Sequence, residues 1–351
     1  MTNIEFDNIP TSIRKPGVYT EYNSRNAVST LPTNEQEVLI VAPMIEGKTE
    51  FTAPVRIYSD YDAELAFGAG SWAHLMARIA IQNNSLLRLS IIGLKDNDAG
   101  VAATGTLTLS GTASAIGYLS TTIAGVEYKV SVAKAETANA VAARLAAVIN
   151  ISNTCPVNAQ VSDGTITLTA KCKGEIGNEI TLSAASYTSS MTLNAQALAS
   201  GANNADIAKA LASVAGTHYH VIISPFSDEK NAKALVNHLE TVSSPLEKKP
   251  AIGVIGWRGT MASGTTYTSK INSERVTCAW YKGAIESNAL IAAGYGAVIA
   301  GEEDPAKPLN TLEIKGLTTV DATQTPILTE VNQALSNRAV KPRPLGRGYK
   351  V

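Results

Sequence analysis

Chemistry-bearing side chains are scarce in this chain: four histidines and three cysteines in 351 residues. The cysteines, Cys155, Cys172 and Cys278, form neither a zinc spacing nor a CxxC pair. That excludes the common structural-zinc and dithiol motifs, and the chain reads as folded in a reducing cytoplasm. There is no HExxH, and no GxSxG at a strand-to-helix turn, so the metalloprotease and α/β-hydrolase signatures are missing. Nor is there an excess of either charge: 29 Lys and Arg stand against 30 Asp and Glu. Without a basic stripe interleaved with aromatics, the chain lacks what phosphate neutralisation requires, and no nucleic-acid partner is expected. The longest apolar run, Ala289 to Gly301, is too short and too rich in Gly and Ala to cross a bilayer, so no membrane insertion is expected. The first fifteen residues contain no apolar signal core, which argues against export by the usual route.

What remains is a globular composition, 45% hydrophobic and 17% charged, on a chain long enough for two or three domains. Residues 1–34 read as an extended arm, because Pro10, Pro16, Gly17 and Pro32 interrupt any helix. Within it Val18 to Tyr22 alternates like a short strand with no hairpin partner nearby, so it must pair with something distant, on this chain or another. From Glu37 the pattern changes. Val38 to Ala42 is a β-branched apolar run of the kind covered on both faces. Pro54 to Tyr58 predicts a strand, Ser59 and Asp60 cap a helix ending at Gly68, and Ser71 caps another with Trp72, Leu75, Met76 and Ile79 on one face. Leu86 to Ile92 returns as a strand, completing a strand–helix–strand unit of a mostly parallel sheet.

Between residues 97 and 204 Thr, Ser, Ala and Gly dominate and charges thin out. Strands are predicted at Thr106–Leu109, Thr122–Val132, Ala159–Val161 and Ile166–Thr169, with a helix from Thr137 to Asn150 that turns Val141, Leu145, Val148 and Ile149 inward. The region reads as a β-rich α+β domain inserted into a larger one. A two-residue turn at Asp163-Gly164 fixes a register: Val161 opposite Ile166, Ala159 opposite Leu168, Val157 opposite Ala170 and Cys155 opposite Cys172. The two thiols read as small buried hydrophobes, with a disulfide as the alternative. After residue 204 the α/β alternation resumes: helix from Asp206 to Ala215, strand from His220 to Ser224, helix from Ser227 (its cap) to Thr241, strands at Ile252–Trp257 and Val276–Tyr281, and a Gly/Ala-faced helix from Ile285 to Ala300. The fold class is thus α/β: a core split into residues 35–96 and 205–337, interrupted by the insertion at 97–204 and followed by a basic Pro/Gly-rich tail at 338–351.

The few candidates for chemistry have plain structural alternatives. His218 and His220 share one side of a strand but lack a third metal ligand at any recognisable spacing. His74 and His238 read as interface or surface residues. Phe67-Gly68-Ala69-Gly70-Ser71 resembles a phosphate loop, yet it follows a helix, lacks the Lys of a P-loop, and reads fully as a helix C-cap joined to an N-cap. Gly294-Tyr295-Gly296 lies mid-helix, where small residues admit another backbone. Glu302-Glu303-Asp304 is an acidic cluster placed poorly for the helix dipole. No catalytic constellation, cofactor site or metal site emerges.

The distinctive motifs are architectural. Arg14-Lys15-Pro16-Gly17-Val18-Tyr19-Thr20-Glu21 resembles the PGVY-type segment that opens contractile phage tail sheath proteins. Phe67 to Ser71 with the Met76 helix resembles a second signature of that family. The most specific is Asp304-Pro305-Ala306-Lys307-Pro308-Leu309-Asn310-Thr311-Leu312-Glu313-Ile314, which is similar to a segment of Mu-like sheath proteins. The resemblance covers most of residues 10–95 and 205–337. It implies a subtilisin-like core shape without hydrolysis, an arm at Pro16–Glu21 that adds a strand to a neighbouring subunit, and a motif at Asp304, Pro305, Pro308, Leu309 and Asn310. It also implies assembly in the host cytoplasm into a virion tail, with copies of the chain, a tail tube protein, and baseplate or terminator proteins as partners. A tailocin or related injection-system sheath is the alternative, and a subtilisin-like hydrolase a remoter one. The family usually continues beyond residue 337 with a further domain, so a truncated or variant C-terminus is expected here.

Overall fold

The computed structural model describes residues 36–45, 53–188, 190–302, 309, 312–336, 339–340, 343–345 and 348–350. The 1–34 arm, with Pro16 to Glu21, lies outside these, as do Asp304, Pro305, Pro308 and Asn310.

The strand β1 (Glu37–Pro43) is buried at all but its first residue, because it is paired in parallel on both sides. The short β2 (Val55–Ile57) leads into α1 (Asp60–Phe67), whose N-cap Ser59 accepts from the Asp62 amide and which stops at Gly68 with φ 92°. Then α2 (Trp72–Asn83) starts from Ser71, which accepts from the His74 amide, and β3 (Arg88–Leu94) follows. The helix caps fall where the sequence placed them, since each is a local hydrogen-bonding device, whereas β3 starts and ends two residues later than the expected Leu86–Ile92.

Residues 97–204 contribute β4 (Thr104–Gly111), β5 (Gly117–Ile123), β6 (Val126–Val132), α3 (Ala138–Ile151), β7 (Val157–Ser162), β8 (Thr165–Ala170), β9 (Leu182–Tyr187) and β10 (Met191–Ala199). They form two antiparallel sheets, β10-β4-β8-β7 and β6-β5-β9. The Asp163-Gly164 hairpin has the expected register from Val157–Ala170 to Val161–Ile166. Cys155 and Cys172 lie beyond its ladder as free, buried thiols, and the Cys172 Sγ points to the Met44 carbonyl at 3.7 Å. Two expectations fail here. Thr122–Val132 is not one strand but the end of β5, a tight turn and β6. Ala124 and Gly125 both take positive φ, 50° and 84°, as a two-residue hairpin turn demands. And Val148 is 39% exposed; Val141, Ala142, Leu145, Ala146 and Ile149 make the buried face of α3. Because Ala124 holds a left-handed conformation that disfavours a Cβ, Ala124→Gly is expected to raise the unfolding free energy by roughly 0.5–1 kcal/mol, read from denaturant melts.

The helix α3 also bonds one residue on each of two outer strands. The Asn150 amide donates to the Ala159 carbonyl (2.9 Å) and accepts from the Ala159 amide (2.8 Å), pairing with the outer edge of β7 as a strand would. The Arg144 guanidinium donates to the Ser131 carbonyl on the outer strand β6 (2.6 Å). Edge groups that would otherwise invite another chain are satisfied internally.

The rest of the chain supplies α4 (Ala208–Val214), β11 (Val221–Ile223), α5 (Glu229–Val242), β12 (Ile252–Trp257), α6 (Met261–Ile271), β13 (Val276–Trp280), α7 (Asn288–Gly301), β14 (Glu313–Ile314), α8 (Leu328–Ser336), β15 (Ala339–Val340), β16 (Arg343–Leu345) and β17 (Gly348–Lys350). The N-cap of α5 is Asp228, accepting from the Asn231 amide, rather than Ser227. Among the described residues seven strands form the largest sheet, in the order β15-β13-β12-β11-β1-β3-β2. All its pairings are parallel except β2–β3. The fold is therefore mixed α/β, and the stretches before and after the middle segment join where β1 pairs with β11. The nearly wholly buried α7 crosses this sheet. Its Gly294 and Gly296 face the side chains of Ile314 and Ile223, not another backbone as expected. The backbone approach occurs instead at Gly256 on β12, over the Asn288 carbonyl.

Candidate functional site

At the carboxyl ends of β11 and β12, where open α/β sheets place their ligands, lies a cleft of about 430 Å³. Its walls include Asn178, Asn204, Phe226, Asp228 and Trp257. The key side chain is Glu179, at the end of a 3-10 turn (Glu175–Glu179) carried by the middle segment. One carboxylate oxygen accepts from the Asn288 amide at the start of α7 (2.9 Å); the other accepts from the Asn288 side chain (2.8 Å) and the Ser227 hydroxyl (3.1 Å). Burial pushes its pKa up, outweighing these hydrogen bonds and the nearby Arg258 charge. Around it, Asn204 donates to Asp228 (2.9 Å) and Thr181 to the Ile285 carbonyl (2.9 Å). Here a carboxylate sits at a helix N-terminus, favourable for the dipole, and its oxygens are committed to fastening the middle segment onto α7 and the α5 entry.

A second polar seam lies at residues 68–71. The Lys171 ammonium donates to the Ala69 carbonyl at 2.9 Å, and burial lowers its pKa. Gly70, φ 79°, has the Cys155 carbonyl 2.1 Å from where a Cβ would stand. Its amide donates to Nδ1 of His74 at 3.1 Å. His74 is thus not a surface residue but 1% exposed. The Phe67–Ser71 motif acts as a cap-to-cap joint on which the middle segment rests, and no phosphate cradle is needed to account for it. Sequence reasoning named neither Glu179 nor Lys171; the available signal was the cluster Lys171, Lys173, Glu175 and Glu179 inside an otherwise charge-poor region.

The other candidates are not brought together. The rings of His218 and His220 are 4.2 Å apart. Nδ1 of His220 accepts from the Glu37 amide (3.1 Å), and Nε2 of His218 lies 2.9 Å from the Pro250 carbonyl, which can only accept. These partners leave His220 with its proton on Nε2, so the pair does not offer two open lone pairs to a metal. Among the described residues no three His, Cys, Asp or Glu side chains converge. No helix of the described residues is long and apolar enough to cross a membrane. Leu309 packs, half-buried, against the core, and Glu302 is the C-cap of α7.

Burial lowers the pKa of His74, His220 and His238. The unfolded chain, with ordinary histidines near 6.5, therefore takes up protons first, and stability is lost as pH falls below that value. Glu179, raised when folded, has the opposite sign: its contribution is present at low pH and lost as pH rises through its folded pKa. In Glu179→Gln, where that opposing group no longer titrates, the urea midpoint is expected to drop between pH 7.5 and 5.5.

Residues 200–339 match the family described as the phage tail sheath protein central domain. Over 318 residues the chain is 33% identical to the Mu-like prophage FluMu tail sheath protein of Haemophilus influenzae, covering 88% of this chain. Residues 200–339 are thus a phage tail sheath central domain, and most of the chain is similar to a Mu-like tail sheath protein. It spans 65% of the length of that Haemophilus relative. A crystal structure of the sheath tail protein from Desulfitobacterium hafniense aligns over 95% of this chain and 74% of its own, at 14% identity and a TM-score of 0.47. The sheath central-domain match takes in β11 to β13, α4 to α8 and the start of β15, so both Ser227 and Asn288 fall inside it, whereas Glu179 and Lys171 precede it.

Proposed function

We propose that the chain is the structural subunit of a contractile tail sheath, polymerising with copies of itself around a tail tube and contracting to drive the tube through a host envelope. The observation that carries this reading is the 33% identity to a Mu-like prophage tail sheath protein across most of the chain. Its role is mechanical rather than catalytic, with the driving energy held in a metastable extended lattice. The core, residues 35–96 and 205–337, takes a subtilisin-like shape split by an outward-facing insertion at 97–204; the two antiparallel sheets of the middle segment and the large parallel sheet support this division. Pro16 to Glu21 adds a strand to a neighbouring subunit, since main-chain pairing tethers bodies that must slide and rotate. Asp304, Pro305, Pro308, Leu309 and Asn310 form the family motif following α7. The subunit is made in the host cytoplasm and resides in the virion tail, contacting the tube and the baseplate or terminator proteins at its ends.

Light scattering and negative-stain microscopy of the purified chain, alone and with a tail tube protein, test this. Stacked rings or tubes are expected. A monodisperse monomer in both mixtures, together with turnover by a serine labelled with an active-site probe, would overturn it.

A further inference from the structure

We propose that His74 is a proton-sensitive latch that holds the 68–71 joint, and with it the docked base of the β7–β8 hairpin, in place only while its imidazole is neutral. The geometry fixes the tautomer. The Gly70 amide can only donate, so Nδ1, at 3.1 Å, must accept and the ring proton sits on Nε2. That Nε2 lies 2.9 Å from a carboxylate oxygen of Asp60, off the line of a well-formed hydrogen bond, so the contact is chiefly electrostatic. Protonating the ring places a second N–H on Nδ1, facing the Gly70 N–H. A buried hydrogen bond becomes a donor–donor contact, and the Gly70 amide loses its acceptor.

The joint cannot absorb this by a small shift. The Cys155 carbonyl covers Gly70 so closely that even a Cβ would stand 2.1 Å from it, and Lys171 is bonded to the adjoining Ala69 carbonyl. Cys172, next along the chain, directs its Sγ to the Met44 carbonyl. Moving Gly70 away from His74 therefore pushes on Cys155 and Lys171, the two residues through which the middle segment rests on the joint. The groups around the imidazole set the threshold. Asp60 and Glu64 on α1 favour its charge, Arg78 on α2 opposes it, and burial opposes it most. From the middle segment, the charged group that reaches the same loop is Lys171, bonded to the Ala69 carbonyl.

Hydrogen exchange on the full chain between pH 7.5 and 5, corrected for intrinsic rates, tests the latch. Amides of residues 68–72 and 153–173 are expected to lose protection by up to roughly tenfold per pH unit as pH falls below about 6.5, the value of a released imidazole, while those of β1 and β11 keep theirs. In His74→Asn the side-chain oxygen can accept from Gly70 but does not titrate, so protection there should not change with pH. Asp60→Asn, which removes the nearest negative charge, should move the wild-type transition to lower pH. Equal protection at pH 7.5 and 5 in the wild-type chain overturns the proposal. So does an unchanged pH response in His74→Asn, which would transfer the effect to His218, His220 or His238. Should His74→Asn not fold, the Asp60→Asn shift alone decides, and its absence counts against the latch.

Discussion

Gly256→Ala is expected to destabilise the protein by about 3–5 kcal/mol, or to prevent soluble expression altogether. A Cβ built on Gly256 stands 2.0 Å from the Asn288 carbonyl oxygen, 2.8 Å from its carbon and 3.1 Å from the Ala292 amide nitrogen. These are backbone atoms of α7, so no rotamer change can relieve the overlap; the helix has to move. It is held in place elsewhere. Ile223 presses on Gly296 and Ile314 on Gly294, and the Asn288 amide is tied to Glu179. Gly216→Ala is the matched control, because nothing lies within 4 Å of a Cβ there, and its effect should stay within about 0.5 kcal/mol. Urea unfolding of both variants separates them. Near-wild-type stability for Gly256→Ala would mean that α7 does not approach β12 as closely as described.

The second large effect is expected at Glu179. Replacing it by Ala leaves the Asn288 amide and the Ser227 hydroxyl without this acceptor, leaves the Asn288 side chain with only its bond to the Ser227 oxygen (3.0 Å), and removes the charge facing Arg258. The expected loss is about 3 kcal/mol, the scale of a broken buried charged network. Glu179→Gln keeps one acceptor oxygen and should lose about half as much. Proteolysis within residues 175–181 should accelerate in the Ala variant, since the 3-10 turn loses its anchor. Equal stability of the Ala and Gln variants would show that the hydrogen bonds to Glu179 contribute little.

The parts legible in the sequence were those governed by local chemistry. Ser59 and Ser71 as caps, Gly68 as a stop, and Asp163-Gly164 as a hairpin turn follow from short-range geometry, and each stands in the structure. The parts missed depended on distant partners. Ala124-Gly125 makes the same kind of tight turn as Asp163-Gly164, but Ala rarely takes positive φ, so sequence alone left β5 and β6 fused. The helix α6, rich in Ser, Thr and Gly, has poor intrinsic propensity; Tyr267 stacks on Trp257 at 5.0 Å, and Gly264 lies beneath the same indole. The α5 cap shifted by one residue because Ser227 is engaged by Glu179 and Asn288, leaving Asp228 to bond the helix. His74 reads as an interface or surface group because its acceptor role toward Gly70, within the chain, does not show in spacing.

One helix has a bearing on how copies of such a chain avoid meeting wrongly. Through Asn150 and Arg144, α3 occupies main-chain groups on the outer edges of β7 and β6. For a chain that polymerises as proposed above, mis-registered dimers formed edge to edge before a lattice exists would be off-pathway traps. At Ala159 and Ser131 the first step toward such a trap must displace a bond already made within the subunit. At those two positions the helix would thus act as a stopper, since spare backbone is not on offer there.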